Sequence, residues 1–152
     1  MKVYIMRHGP AEDEAESGKD ADRALTPSGR DRVRQVIRHL VERGKTPRIV
    51  MSSPLVRARQ TAEIVCEEAG LSSASIELKK ELAMTGHARD LVREIFAAKR
   101  KRTVLVGHEP ELSGLVFELT GISLVMQKAM VVAISCKEGT SKLKFVIDPK
   151  EL

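Results

Sequence analysis

The chain has 152 residues, of which 42% are hydrophobic and 31% are charged, and its formal net charge is +5. This apolar content is sufficient for one globular domain over residues 1–152 and excludes an intrinsically disordered chain. Aromatic residues make up only 3% and tryptophan is absent, so the base-stacking surfaces of nucleic-acid-binding proteins are not expected.

The sequence contains no signal for a membrane or for secretion. No apolar run has the length of a membrane span, and the opening MKVYIM reaches Arg7 before a signal-peptide core could form. Cys66 and Cys136 lie in apolar segments and form no CxxC motif, which favours buried free thiols in a reducing compartment. We therefore expect a cytoplasmic protein with no membrane partner and no nucleic-acid partner.

Strand and helix patterns alternate along the chain. The first half predicts, in order, a strand at Lys2–Met6, an acid-rich loop over 10–25, a helix from Thr26-Pro27 to Gly44, a strand at Arg48–Met51 and a helix from Ser53-Pro54 to Gly70. The second half predicts a short strand at Ile76–Leu78, a helix at Ala88–Lys99, a strand at Thr103–Val106, a helix from Pro110 to Gly121, and a closing hairpin of Met130–Ser135 and Lys142–Ile147 around Glu138-Gly139.

This alternation predicts a single α/β domain of three layers. The central sheet should be mainly parallel with an antiparallel edge at the C-terminus, and helices should cover both of its faces. Between Gly86 and Thr103 the chain has room for one helix only, so no lid subdomain is expected.

Polar and basic side chains follow three of the predicted strands. The first is followed by Arg7-His8-Gly9, the second by Ser52-Ser53-Pro54 with Arg57 and Arg59, and the fourth by Gly107-His108-Glu109-Pro110. Because ligands bind beyond the carboxyl ends of parallel strands, two imidazoles and at least two guanidiniums are expected to face one crevice. Guanidiniums and helix N-termini both bind phosphate oxygens, so the pattern predicts a site for a dianion.

A histidine or an arginine taken alone is usually a surface residue, and we expect His39, His87 and Arg59 to be of that kind. Chance would rarely place four such residues at one sheet edge, as is expected of Arg7, His8, Arg57 and His108. A metal site is disfavoured because the chain has four histidines and no HExxH or HxH pattern, and because cationic neighbours would oppose a divalent ion. Neither a metal nor another cofactor is expected.

Four motifs, in this order, resemble the histidine phosphatase superfamily, once called the phosphoglycerate mutase-like group. They are RHG after the first strand, LTPSG at 25–29, SSPLVRARQTA before the second helix, and GHEP after a later strand. The resemblance spans nearly the whole chain and is greatest for the small SixA-type phosphohistidine phosphatases, which share the RHG-x-A start and the compact length. It implies a metal-independent phosphatase whose substrate is phosphohistidine on a signalling or phosphotransfer protein.

The resemblance also implies roles for individual residues. His8 matches the nucleophile, whose imidazole would take the phosphoryl group and form a phosphohistidine that water then hydrolyses. Arg7, Arg57 and His108 match the groups that bind the phosphoryl oxygens and stabilise the transition state. Among further substrate-binding positions, Gly9 would let the backbone pass close to the phosphate.

The leaving-group side of the site is less defined. Arg23 matches an arginine of the SixA-type loop that is expected to contact substrate. The segment KKELAMTG offers Glu81 as general acid, but Gly86 comes one residue later than in the family pattern. Glu81 is therefore either the proton donor or an ordinary solvated carboxylate. A phosphoramidate can leave as neutral imidazole once its own nitrogen is protonated, so it has little need of a strong acid.

Two other functions stay open on the sequence alone. The departure around Glu81, and RHGPAEDE in place of RHG-x-T-x-x-N, are compatible with a phosphate-binding or interaction module without turnover. A mutase or a small-metabolite phosphomonoesterase would use the same residues, but a mutase needs a lid that keeps water from its intermediate. An open crevice favours a phosphorylated side chain on a folded protein. The net charge favours acidic partners, which the acid-rich loop over 10–25 would locally repel.

Overall fold

Six strands form one mixed sheet in the computed structural model, which describes residues 1–152. The strands are β1 (Lys2–Arg7), β2 (Ile49–Ser52), β3 (Glu77–Leu78), β4 (Thr103–Gly107), β5 (Val131–Lys137) and β6 (Thr140–Ile147). Their spatial order is β3-β2-β4-β1-β5-β6. The first four strands pair in parallel, whereas β5 and β6 pair antiparallel. The predicted mainly parallel sheet with an antiparallel C-terminal edge is confirmed.

Helices cover both faces of this sheet, as predicted. They are α1 (Pro27–Glu42), α2 (Val56–Ala69), α3 (Arg89–Ala97) and α4 (Glu111–Thr120). Successive side chains of β1 point to opposite faces: Tyr4 and Met6 belong to the core formed with α1 and α2, and Val3 and Ile5 to the core formed with α3 and α4. Between β3 and β4 the chain forms only α3 and short turns, so no lid subdomain is present.

Local sequence signals explain where several elements begin and end. The side chain of Thr26 accepts a hydrogen bond from the Gly29 amide at 2.9 Å, which caps α1 ahead of Pro27. α2 begins later than predicted, because Ser53 forms a turn of its own by accepting from the Leu55 amide at 3.2 Å. The hairpin turn is where the sequence placed it, since Glu138 and Gly139 both have positive φ, as tight hairpins require.

Two further findings concern the surface of the fold. Both cysteines are free, but only Cys66 is buried, while Cys136 on β5 is half-buried. The prediction of two buried thiols is thus wrong for Cys136, because β5 ends beside the exposed hairpin. No helix has both the length and the apolar character needed to cross a bilayer.

The strand register places three loops at one edge of the sheet. Arg7 at the end of β1 lies opposite Gly107 at the end of β4, and Ser52 at the end of β2 lies opposite Val106. The segments that follow these strands therefore leave the sheet side by side.

Candidate active site

The ends of β1 and β4 bring two histidines together. The ring centroids of His8 and His108 are 5.2 Å apart, and the residues are only 4% and 2% exposed. The His8 amide donates to the Gly107 carbonyl at 3.1 Å, which continues the strand pairing beyond β1. The predicted convergence of the two imidazoles is found.

The imidazole of His8 is oriented by its own backbone. Its Nδ1 lies 2.7 Å from the Gly9 carbonyl oxygen. Because a carbonyl can only accept, Nδ1 carries the proton and Nε2 keeps its lone pair. Burial lowers the pKa of His8 to about 3, the Gly9 hydrogen bond raises it, and the charges of His108, Arg57 and Arg7 lower it further. At neutral pH His8 is an uncharged base with a free Nε2, which is the state that a nucleophile requires.

His108 is held by Ser53, which directly follows the neighbouring strand β2. Its Nε2 lies 2.8 Å from the Ser53 hydroxyl, whereas its Nδ1 is buried without a protein partner. Burial and the charge of Arg57 lower the pKa of His108 to about 4, although Glu111 and Asp20 act to raise it. His108 is thus also neutral. Sequence reasoning assigned no role to the contact with Ser53, and its one signal was a serine directly after β2.

Two guanidiniums border these imidazoles. Arg57, in the first turn of α2, is 3% exposed. Arg7 is half-buried and donates from Nη1 to the Met126 carbonyl at 3.1 Å. Burial lowers the pKa of Arg7, while Glu109 raises it. The Nε atoms of Arg7 and Arg57 are buried without hydrogen-bond partners. Buried cations with unpaired donors are suited to bind an oxyanion.

The acid-rich loop contributes a carboxylate that sequence reasoning did not single out. Asp20 begins a short 3-10 turn, Asp20–Asp22. The Nη1 of Arg57 donates to the Asp20 carbonyl at 2.9 Å, and Nη2 donates to its carboxylate at 3.2 Å. Arg23 lies on the other side, with Nε 3.3 Å from the same carboxylate. Arg23 therefore meets the site through Asp20, and no local signal distinguished Asp20 from the other acids of the loop.

The structure gives a packing reason for glycine at position 9. Its amide donates to the Thr61 hydroxyl at 3.1 Å, so this donor is already used within the protein. A Cβ at Gly9 would lie 2.6 Å from a methyl group of Val33. Glycine is therefore required here by close packing on α1, and its predicted place beside the phosphate stays a prediction.

Glu81 is not brought into the cluster. It lies exposed in a single 3-10 turn, Lys80–Leu82, and its carboxylate forms no hydrogen bond or ion pair with the arginines or histidines of the site. The later glycine, Gly86, packs on this turn, since a Cβ there would lie 2.5 Å from the Glu81 carbonyl oxygen. Met84 instead reaches the site, with its sulfur 3.7 Å from Arg57 Nη2. This arrangement favours the solvated carboxylate over the proton donor.

Glu109 has two roles, one at the start of α4 and one in the loop that holds Arg7. Its carboxylate accepts from the Ser113 amide at 2.8 Å in the first turn of α4. It also accepts from the Met126 amide at 3.2 Å. Because the Met126 carbonyl holds Arg7, Glu109 supports the loop that orients this guanidinium.

Neither a metal site nor the cavity beside Met1 coincides with these residues. No group of three or more histidine, cysteine or carboxylate side chains lies close enough together to hold a metal ion. A cavity of about 660 Å³ lies at the opposite edge of the sheet, where Met1, Phe96, Leu119 and Cys136 line it together with basic side chains.

A neutral imidazole with a free nitrogen, placed beside buried guanidiniums at the carboxyl edge of an α/β sheet, defines a protein suited to bind and transfer phosphoryl groups. Residues 3–84 match the model of the histidine phosphatase superfamily, branch 1. The chain belongs to this superfamily.

The chain is also similar to individual proteins. An uncharacterized protein from Picosynechococcus sp. is 32% identical over 149 residues, which cover 95% of this chain and 89% of that protein. The structure of the protein histidine phosphatase SixA, complexed with tungstate, superposes with a TM-score of 0.87 at 28% identity and covers 99% of both chains. A mycobacterial glucosyl-3-phosphoglycerate phosphatase shares the fold, with a TM-score of 0.73 at 18% identity over 94% of this chain and 96% of its own.

Proposed function

We propose that the protein is a metal-independent phosphatase that hydrolyses phosphohistidine through a covalent intermediate on His8. It acts as a single domain over residues 1–152 in the cytoplasm. One observation carries the proposal: the buried, neutral His8 uses only Nδ1 in a hydrogen bond, its ring lies 5.2 Å from that of His108, and its pKa is lowered by the charge of Arg57.

The chemistry follows from this geometry in two steps. Nε2 of His8 attacks phosphorus, and the bond from phosphorus to the leaving group breaks with its electron pair going to the leaving atom. Arg7, Arg57 and His108 stabilise the negative charge on the equatorial oxygens of the transition state. Water then attacks phosphorus, phosphate leaves, and the lone pair of His8 is restored.

The absence of a buried carboxylic acid at the site supports a phosphoramidate substrate. Glu81 is exposed and unpaired with the site, so an alkoxide leaving group would lack an obvious proton donor. A phosphorylated imidazole with a proton on its second nitrogen leaves as a neutral ring and needs no donor. The similarity to the protein histidine phosphatase SixA supports the same substrate.

The open edge of the sheet supports a substrate carried on another protein. Only α3 and short turns separate β3 from β4, so no inserted subdomain covers this edge of the sheet. A phosphohistidine on the surface of a phosphotransfer or signalling protein could therefore approach His8.

Trapping the intermediate tests the proposal. After mixing with a labelled phosphoramidate and rapid quenching, the label should be stable to alkali, labile to acid, and attached to His8. His8→Ala should carry no label, whereas His87→Ala, which changes an exposed histidine, should be labelled like the wild type. Full turnover by His8→Ala, or loss of activity with a chelator, would contradict the proposal.

A substrate comparison separates the proposal from its rivals. We expect kcat/KM for a phosphohistidine protein to exceed that for phosphorylated sugars, nucleotides and phosphoserine peptides. A wide margin in favour of a small phosphomonoester would support the metabolite phosphatase instead. Failure to hydrolyse an aryl phosphate with a good leaving group would support a binding module without turnover.

A further inference from the structure

The position of Asp20 is unexpected in a site that only binds anions. Its two carboxylate oxygens face two different cations, with Oδ2 3.2 Å from Arg57 Nη2 and Oδ1 3.3 Å from Arg23 Nε. Its backbone carbonyl also accepts from Arg57. An anionic side chain in this place repels a dianion and competes with it for Arg57. This loss of affinity for the dianion suggests that Asp20 has a role in the reaction.

These contacts hold the Asp20 carboxylate in place but do not occupy all of its hydrogen-bond acceptor positions. The Asp20 side chain is 54% exposed, compared with 4% for Arg57. An ionised carboxylate has about four lone-pair positions, so two cationic partners leave capacity for a further donor. A phosphoryl oxygen bound at Arg57 Nη2 would lie close to Asp20 Oδ2, because both atoms contact the same nitrogen. The leaving group is bonded to the same phosphorus as this oxygen, so it would lie nearby.

The surroundings of Asp20 carry a small excess of negative charge. A cavity of about 300 Å³ within the 10–25 loop borders Asp20, and its walls carry the carboxylates of Asp13, Glu14 and Asp20 and the cationic groups of Lys19 and Arg23. The loop side of Asp20 therefore slightly favours a group with positive charge over one with negative charge.

We propose that Asp20 determines specificity by accepting a hydrogen bond from the protonated nitrogen of the leaving imidazole, an inference that rests on the proposed function. The substrate ring is phosphorylated on one nitrogen and carries a proton on the other. When His8 Nε2 bonds to phosphorus, the P–N bond breaks and its electron pair returns to the leaving nitrogen. The ring departs neutral with its proton still in place, so no proton is transferred. Arg23 orients the carboxylate for this contact.

The inference predicts that removing the charge of Asp20 separates two classes of substrate. For Asp20→Asn we expect kcat/KM for a phosphohistidine peptide to fall about tenfold, the usual effect of losing a charge-assisted hydrogen bond. For a phosphoserine peptide of the same sequence, kcat/KM should stay level or rise, because repulsion of the dianion is removed. Asp20→Glu, which keeps the charge, should retain part of the preference for phosphohistidine.

Asp22 provides the matched control. It lies in the same turn, but its carboxylate accepts from the Ser17 hydroxyl at 2.7 Å and forms no contact with Arg57. Asp22→Asn should leave kcat/KM for both peptides unchanged. Thermal unfolding of each variant would show whether the loop change affects the fold.

Two results would overturn the inference. An equal fall for both peptides would mean that Asp20 only positions Arg57, and a larger fall for phosphoserine would make it a proton donor for esters. Either result leaves the labelled His8 of the wild type intact, whereas the absence of that label would contradict the proposed function itself.

Discussion

At the scale of single residues, burial sets the charge state of the site. His8 and His108 lie beside arginines and lose most of their contact with water, and both effects disfavour a second proton on the ring. The fold thus keeps both imidazoles neutral at physiological pH, where one can attack and the other can donate or accept a hydrogen bond.

These pKa values predict that the protein becomes less stable as the pH falls below 6.5. The folded pKa values, about 3 for His8 and about 4 for His108, lie below the ordinary value of 6.5. Between these limits the unfolded chain binds protons that the folded chain does not, so stability that is complete above 6.5 is lost toward the folded values. Each histidine contributes at most about 1.4 kcal/mol per pH unit.

Urea unfolding at about pH 7 and about pH 5 measures this loss. His8→Gln should lose less stability than the wild type between the two conditions, because the substituted side chain does not titrate. The exposed-site variant His87→Gln should behave like the wild type. An identical pH dependence in His8→Gln would show that His8 does not contribute to the loss.

Two arginines near the start of α2 allow a paired test of the anion site. Arg57 is buried beside the histidines, whereas Arg59 is exposed, as predicted. We expect Arg57→Ala to lower kcat/KM for an aryl phosphate by about 100-fold or more, as for loss of one oxyanion-stabilising donor. Arg59→Ala should stay close to the wild type. A similar loss in both variants would indicate a general charge effect.

At the scale of elements, the first turn of α1 supports the segment that carries His8. The Thr26 amide donates to the Pro10 carbonyl at 3.1 Å. A Cβ at Gly29 would lie only 2.1 Å from that same oxygen. The segment that follows His8 can therefore pack against α1 only because Gly29 has no side chain.

Two helical glycines should respond in opposite directions to alanine. Gly29→Ala must displace the Pro10 backbone and should lower the free energy of unfolding by about 1–3 kcal/mol. Activity should also fall, because Pro10 is only two residues from His8 in the chain. Gly114→Ala on α4 meets nothing within 4 Å and should raise it by about 0.5–1 kcal/mol. Denaturant unfolding and an aryl phosphate assay measure both effects. Stabilisation by Gly29→Ala would contradict the close packing.

At the scale of the whole molecule, overall charge and local charge act in opposite directions. The net charge is +5, yet the loop beside Arg57 presents Asp13, Glu14 and Asp20. An acidic partner protein would be attracted from a distance and opposed near the site.

This balance predicts a weak dependence on salt. Between about 50 mM and about 200 mM salt we expect kcat/KM for a phosphohistidine protein to fall only about two- to threefold, because surface charges are screened on this scale. A free phosphohistidine peptide provides the comparison and should change less. A fall of a hundredfold would show that attraction dominates and that the loop does not oppose the partner.

The sequence alone determined the architecture and the centre of the candidate site. Period and capping signals are local, so the alternation of strands and helices predicted the three layers and the antiparallel edge. Parallel strands place their carboxyl ends together, and this single rule predicted that Arg7, His8, Arg57 and His108 would meet.

The tertiary structure decided which groups surround that centre. The partner of Asp20 depends on how the loop over 10–25 folds back on α2, and no periodicity controls such a loop. The register of β2 and β4 brings Ser53 to His108. The close packing of the chain against α1 requires a glycine at position 9. Glu81 lies in a segment that only partly fits the family pattern, and the turn that ends in Gly86 leaves it exposed, because packing of the backbone, rather than residue type, determines where a carboxylate points.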